Sequence, residues 1–276
     1  MSRATCGAAV IGLVFFSVLG STFPLTAAAP KREGVQTLPG KAPEIPNRSD
    51  FLRYDMDLVK EKFYLSIPLN YTGKEPFGLV VFINAADKMA VIPEWKPVLA
   101  RRKLLYIAPQ NVGNSHDIHR RAGLAVVGIY KMMELYKIDP QRVYVTGLSG
   151  GARMACLAAF HHPTLISGVF PMCGAEFPAP VPRVNATQND PYGVTPGKAE
   201  LVEKAKANVR FALVTGPRDF RHGNILDIYN GGYAKEKYQA RLFDVPNLGH
   251  ENAGAAVIDV VLQWLDQRPA KGAKDK

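Results

Sequence analysis

Gly147-Leu148-Ser149-Gly150-Gly151 sets a serine among glycines after the β-branched run Arg142 to Thr146, at the head of a stretch, Ala152 to His162, with neither Pro nor Gly. A strand, a Gly-x-Ser-x-Gly turn and a helix make a nucleophile elbow, in which the Ser149 hydroxyl is thrust out at the end of a sheet. Gly147 and Gly151 lack a Cβ where strand and helix nearly touch, and Gly150 can supply a backbone N–H beside the nucleophile. The same turn would suit a phosphate at a helix N-terminus, so the pentad alone leaves a phosphate-binding loop open. What separates the two is the rest of the machinery. A serine hydroxyl is a poor nucleophile near neutral pH until a base takes its proton, and the base needs a carboxylate to hold its tautomer.

Where an elbow carries such a triad, the order along the chain is serine, acid, histidine. Of the six histidines, His116 and His119 precede Ser149, and His161 and His162 end the post-elbow helix before Pro163, where a cation capping the helix is the better account. His222 comes too soon after the acid candidate. His250 remains, in Asp244-Val245-Pro246-Asn247-Leu248-Gly249-His250, where Pro and Gly force a turn at the end of an apolar run. The acid should leave the preceding strand at the same edge, and Phe211 to Thr215 followed by Gly216-Pro217-Arg218-Asp219 has that form. Asp219 is therefore the expected acid; Asp227 reads as helical and Asp244 as a strand residue facing sideways. The bland alternatives are a helix N-cap for Asp219 and a local hydrogen bond for His250.

These residues need a sheet whose strand ends share one edge. Lys62 to Pro68 and Gly78 to Ile83 read as strands, the second apolar throughout and so buried on both faces. Helix Glu94 to Arg102, strand Leu104 to Ala108, helix His119 to Tyr136, strand Arg142 to Thr146 and helix Gly151 to His161 then alternate. Strands follow at Leu165 to Pro171, Val209 to Thr215 and Gln239 to Val245, before a closing helix from about Ala253 to Asp266. The fold class is α/β: a mostly parallel central sheet with helices on both faces. In such sheets, sites form beyond the carboxyl ends of the strands.

The 276 residues suffice for one sizeable core. Residues 1–29 read as a secretory signal peptide, with Arg3, the apolar run Ala8 to Leu19 and small residues at Ala27 to Ala29; an uncleaved anchor is the alternative. No other segment approaches a membrane span. The organisation expected is a Pro-rich extended leader over 30–50, a single α/β domain over 51–270 and a basic tail over 271–276. Within the domain, the Pro-rich loop 174–197 reads as a rim or partial lid over the site, or as a plain surface excursion. Export would leave Cys156 and Cys173, either a disulfide or two buried thiols. The net charge of +10 comes from scattered Lys and Arg without an interleaved aromatic stripe, which argues against a nucleic-acid partner. A basic surface of this kind serves solubility or attraction to anionic polymers and cell envelopes.

The pattern resembles the α/β-hydrolase superfamily, and within it the secreted esterases related to polyhydroxybutyrate depolymerases and feruloyl esterases. The resemblance rests on Ile138 to Gly151, the Gly216 to Asp219 turn and Leu248-Gly249-His250. It implies Ser149 as nucleophile, Asp219 as acid, His250 as base, and an acyl-enzyme mechanism on an ester substrate, small or polymeric, with no metal and no organic cofactor. In that family the strand before the first helix usually ends in His-Gly, and an amide there completes the oxyanion hole with that of Gly150. Here Asn84-Ala85-Ala86-Asp87 stands in its place, so the second donor is expected from Ala85 or Ala86, with the Asp87 charge nearby. Two further readings fit the same residues: a serine peptidase, and a weak or inactive member that binds an envelope polymer.

Overall fold

The computed structural model of the protein describes residues 30–186 and 197–267. Among them eight strands form one sheet, in the order β1-β2-β4-β3-β5-β6-β7-β8. The strands are β1 (Glu33–Gln36), β2 (Phe63–Ser66), β3 (Phe77–Ile83), β4 (Leu104–Pro109), β5 (Ile138–Leu148), β6 (Gly168–Met172), β7 (Arg210–Thr215) and β8 (Ala240–Asp244). β1 and β2, and β2 and β4, pair antiparallel; every pair from β4 through β3 to β8 is parallel.

The helices are α1 (Trp95–Arg101), α2 (Ile118–Leu135), α3 (Gly150–His161), α4 (Ala199–Asn208), α5 (His222–Asp227) and α6 (Ala255–Asp266); α5 runs on into a π-helical turn over Ile228–Ala234. Parallel strands need crossovers, and a crossover helix must bury an apolar stripe against the sheet. α6 does so through Ile258, Val261, Leu262 and Leu265, which recur at helical spacing. α2 starts cleanly because the Asp117 side chain accepts the Arg120 N–H at 2.9 Å.

β3 shows why both faces of the sheet had to be covered. All seven of its residues are buried; Leu79, Val81 and Ile83 enter the core beneath α2 and α3, while Val80 and Phe82 enter the core beneath α1 and α6. Side chains alternate across a strand, so a continuously apolar strand signals two cores. The chain moves from β3 out to β4 and then back across it to β5, so the strand order reverses between β3 and β5. The elbow leaves β5 at that reversal, the place where an open α/β sheet parts to admit a ligand.

Several expectations need correction. The leader over 30–50 is not unpacked: Glu33–Gln36 adds β1 to the sheet edge, and Leu38 and Ile45 are buried. A four-residue edge strand is too short, and too rich in Pro nearby, to announce itself in sequence. α4 was absent from the expected elements because it buries only Ala205 among its ten residues, which leaves almost no apolar period to detect. The strand expected from Leu165 begins at Gly168; the residues before it form a turn in which the Leu165 and Ile166 N–H groups both donate to His162 O. The signal segment 1–29, the tail 271–276 and residues 187–196 of the Pro-rich loop lie outside the described residues. No helix of the described residues is long and apolar enough to cross a membrane.

Candidate active site

Ser149 is held with φ 56° and ψ −119°, a left-handed conformation that a non-glycine residue keeps only where its surroundings impose it. Its N–H donates to Met172 O on β6 at 2.9 Å, and its carbonyl accepts the Arg153 N–H from the first turn of α3 at 3.2 Å. The flanking glycines are required by proximity. A Cβ on Gly147 would stand 2.2 Å from Ile83 O, and one on Gly151 2.0 Å from the same oxygen. Strand β5, the head of α3 and the end of β3 therefore meet backbone to backbone, and the serine is levered outward.

Two strands along, Asp219 follows β7 and is buried, its side chain fully so. Its Oδ1 lies 2.7 Å from His250 Nδ1 and accepts the Arg221 N–H at 3.0 Å, while Oδ2 accepts the Thr215 hydroxyl at 2.9 Å. An ionised carboxylate only accepts, so the imidazole proton sits on Nδ1 and Nε2 is left as the basic nitrogen. The Phe220 ring lies over the imidazole with centroids 4.1 Å apart.

Ser149 and His250 share this edge, and the end of β6 touches the segments that carry both. Met172 takes the Ser149 N–H, and the next residue, Cys173, lies with its thiol 3.3 Å from Gly249 O and 3.5 Å from Glu251 O, the two carbonyls that bracket His250. Among the described residues no hydrogen bond joins the Ser149 hydroxyl to the His250 ring. The structure thus brings Asp219 and His250 into contact and sets Ser149 beside them on the same rim.

Cys173 was not expected here. It is buried, its φ is 53°, and burial followed by the neighbouring Asp219 charge pushes its thiol up to about 12. Cys156 and Cys173 are both free thiols, so the disulfide alternative does not form. Cys173, Asp219 and His250 present donor atoms within 4.8 Å of one another. A metal would need the thiolate, which this setting disfavours, and would compete with the Asp219–His250 hydrogen bond.

The other histidines are engaged elsewhere. His116 Nε2 lies 2.8 Å from Asp87 Oδ1, His119 Nδ1 2.6 Å from Phe51 O, and His222 Nε2 3.1 Å from Asp244 Oδ1. The capping account of His161 and His162 is overturned. Both rings are buried, and burial pushes each down to about 4, so they are neutral rather than cations on a helix end. Of the competing acids, Asp244 is exposed beside His222, and Asp227 is buried in α5, where it accepts the N–H groups of Val184, Asn185 and Ala186. Asp227 thereby ties down residues 184–186 of the Pro-rich loop.

On the far side of Ser149 the loop after β3 carries the expected oxyanion donors. The Ala85 N–H donates to its own neighbour, Asn84 Oδ1, at 2.9 Å, while among the described residues no hydrogen bond takes the Ala86 N–H. That narrows the expectation of Ala85 or Ala86 to Ala86. The Asp87 carboxylate faces the next loop, accepting from Gly113 N–H at 3.0 Å and contacting His116, and these bonds, led by the Gly113 amide, lower its pKa.

A cavity of about 360 Å³ opens beside Ser149 and Gly150. Glu176, near the start of the Pro-rich loop, lines it. Arg121, Arg153 and Asn114 also line it and were missed. Arg153 had a usable signal, one helical turn past the nucleophile; Arg121 had another, the second of two arginines heading the apolar run Ala122 to Val127.

No family profile matches the chain. Over 134 residues it is 29% identical to poly(3-hydroxyalkanoate) depolymerase C of Paucimonas lemoignei, an alignment covering 42% of this chain and 32% of that one. The chain thus spans about a third of that relative's length. FphF, a fluorophosphonate-binding serine hydrolase of Staphylococcus aureus solved with substrate bound, superposes with a TM-score of 0.54 at 14% identity, covering 74% of this chain and 92% of that one. Esterase Est2 of the planctomycete Thermogutta terrifontis, solved with butyrate bound, gives 0.53 at 13% identity, covering 85% and 92%. The chain has the α/β-hydrolase fold of these proteins and is similar in sequence to the depolymerase.

Proposed function

We propose that this chain is an exported serine hydrolase that cleaves carboxylic esters through an acyl-enzyme, with Ser149 as nucleophile, His250 as base and Asp219 as its orienting acid. The observation that carries the reading is the 2.7 Å Asp219–His250 hydrogen bond at the sheet edge where Ser149 is held at φ 56°. The depolymerase and esterase names of its relatives support ester over amide bonds as substrate. Export rests on the signal-like pattern of residues 1–29.

In this mechanism Ser149 Oγ attacks the ester carbonyl while its proton passes to His250 Nε2. The negative oxygen that forms lies against the N–H of Gly150 and that of Ala86. Collapse expels the alcohol, which takes the proton from His250, and water repeats the sequence on the acyl-enzyme. Asp219 keeps Nδ1 protonated throughout and stabilises the imidazolium. The Ser149–His250 hydrogen bond forms when substrate is seated, since such contacts are often loose in the empty enzyme.

The test is turnover of p-nitrophenyl butyrate by the mature protein and by Ser149→Ala. Loss of turnover in the variant is expected; equal rates would remove the mechanism. A weak or inactive binding protein is the second reading, favoured by the Asn84 side chain that occupies the Ala85 amide. Absence of fluorophosphonate labelling at Ser149, together with tight binding of an envelope polymer, would select it.

A further inference from the structure

The cavity beside the elbow is lined by three arginines, Arg121 from α2, Arg153 from α3 and Arg221 from the turn after Asp219, against one carboxylate, Glu176. Glu176 is buried and pairs with Arg153 Nε. Arg121 is only 3% exposed, yet its bonds go to neutral acceptors: Nε to Val112 O at 2.6 Å, and Nη2 to Asn84 O and Asn114 Oδ1, each at 3.1 Å. Among the described residues no carboxylate lies within ion-pair distance of it. The Asp87 charge acts on it from beyond contact and offsets only part of the burial; a desolvated cation with no carboxylate in contact is costly, and that cost falls when an anion enters the space it faces. The cations also oppose one another: burial and then the Arg153 charge push Arg121 down to about 10, and the same two causes lower Arg221. Arg121, at about 10, remains charged at neutral pH. Apolar side chains, Phe51, Met154 and Leu157, complete the lining.

The position of the cavity says which part of a substrate it would hold. His250 gives its proton to the departing alcohol, so the alcohol must lie against His250. The cavity is lined by Ser149 and Gly150 but not by His250, which makes it the acyl side. We propose that it is an acyl pocket for a chain ending in a carboxylate, so that the preferred substrates are half-esters of dicarboxylic acids, the methylene chain lying on the apolar lining and the carboxylate meeting Arg121 and Arg153. This rests on the ester-hydrolase reading and narrows it.

The experiment compares mono-p-nitrophenyl adipate with its methyl-capped counterpart, p-nitrophenyl methyl adipate, which has the same chain without the charge. Wild-type protein is expected to show kcat/KM about tenfold or more higher for the anionic ester, as charge-assisted bonds to a guanidinium allow. That ratio should collapse toward unity in Arg121→Gln and in the pair Arg153→Gln with Glu176→Gln, which leaves no carboxylate stranded. The double variant stands in where Arg121→Gln fails to fold. Equal rates on the two esters, or a preference that survives in the variants, would overturn the pocket while leaving ester hydrolysis intact. If wild-type protein turns over neither adipate ester, p-nitrophenyl butyrate decides the hydrolase reading, and calorimetry on Ser149→Ala decides the pocket alone. Binding of monomethyl adipate but not dimethyl adipate would uphold it; binding of neither, or of both alike, would overturn it.

Discussion

Among the described residues two serine–histidine pairs invite comparison, and the one joined by a hydrogen bond is not the one proposed to carry the chemistry. Ser49 Oγ lies 2.7 Å from His161 Nδ1, whereas no such bond joins Ser149 to His250 among the described residues. Among the described residues no carboxylate stands behind His161: its Nε2 is buried without a partner and its ring stacks on Phe51, centroids 5.0 Å apart. An imidazolium formed there would be desolvated and uncompensated, which is why burial pushes His161 down to about 4. His250 has its Asp219 in place, and Ser149 is raised on a strained turn above an open cavity. The difference teaches that a base is made by what stands behind the imidazole, not by how closely a hydroxyl approaches it.

The sharpest way to break that contrast is to delete each hydroxyl. Ser149→Ala is expected to lower kcat for p-nitrophenyl butyrate by at least ~10⁴-fold, as for other triads, and Ser49→Ala to leave it unchanged. A fluorophosphonate should label Ser149 and not Ser49 by peptide mapping. Removing the carboxylate makes the two histidines alike: Asp219→Asn keeps the shape but leaves Nδ1 without an anion, and kcat is expected to fall by about 10³- to 10⁴-fold. A drop of less than about tenfold would mean that Asp219 does not orient the base.

The contrast also marks what the sequence could convey. That Ser149, Asp219 and His250 would fall at one sheet edge was legible because each follows a strand, and strand ends in a parallel sheet converge whatever lies between them. The core was legible for the same reason: β3 and α6 carry their period in their side chains. Ser49–His161 was invisible, since a contact between residues 112 positions apart leaves no local pattern, and His161 was misread because helix-end position suggests a cation where burial forbids one. Ala85 was a fair candidate until the neighbouring Asn84 side chain claimed its amide, a matter of rotamer and not of residue type. The arginines around the cavity became meaningful only once α2 and α3 were seen to face one space.

Cys173 gives a gentler test. It stands between the elbow and the His250 turn, with its thiol against the carbonyls on either side of the histidine. As a positioning residue it should matter for the placement of the ring and not for its protonation. Cys173→Ala is expected to lower kcat roughly three- to tenfold with little change in KM, and Cys173→Ser, which restores a donor, to recover part of that loss. A fall in stability with unchanged kcat would reduce Cys173 to packing.

The smallest effect falls on the pair without a carboxylate, and it is read in stability, not rate. His161 and His162 are held neutral by burial, each at about 4 against an ordinary value of 6.5. Between those values the unfolded chain binds protons that the folded chain refuses, so their contribution to stability is complete above pH 6.5 and is lost as the pH falls toward 4. Carboxylates also titrate at the lower end of that range, so the comparison must be differential. The thermal midpoint of wild-type protein should fall more steeply from pH 6.5 to 4.5 than that of His161→Phe with His162→Phe, even if the double variant starts lower because Tyr54 has lost its partner at 2.5 Å. Parallel slopes would mean that these rings are protonated in the fold; the contrast between the two pairs would then rest on geometry alone.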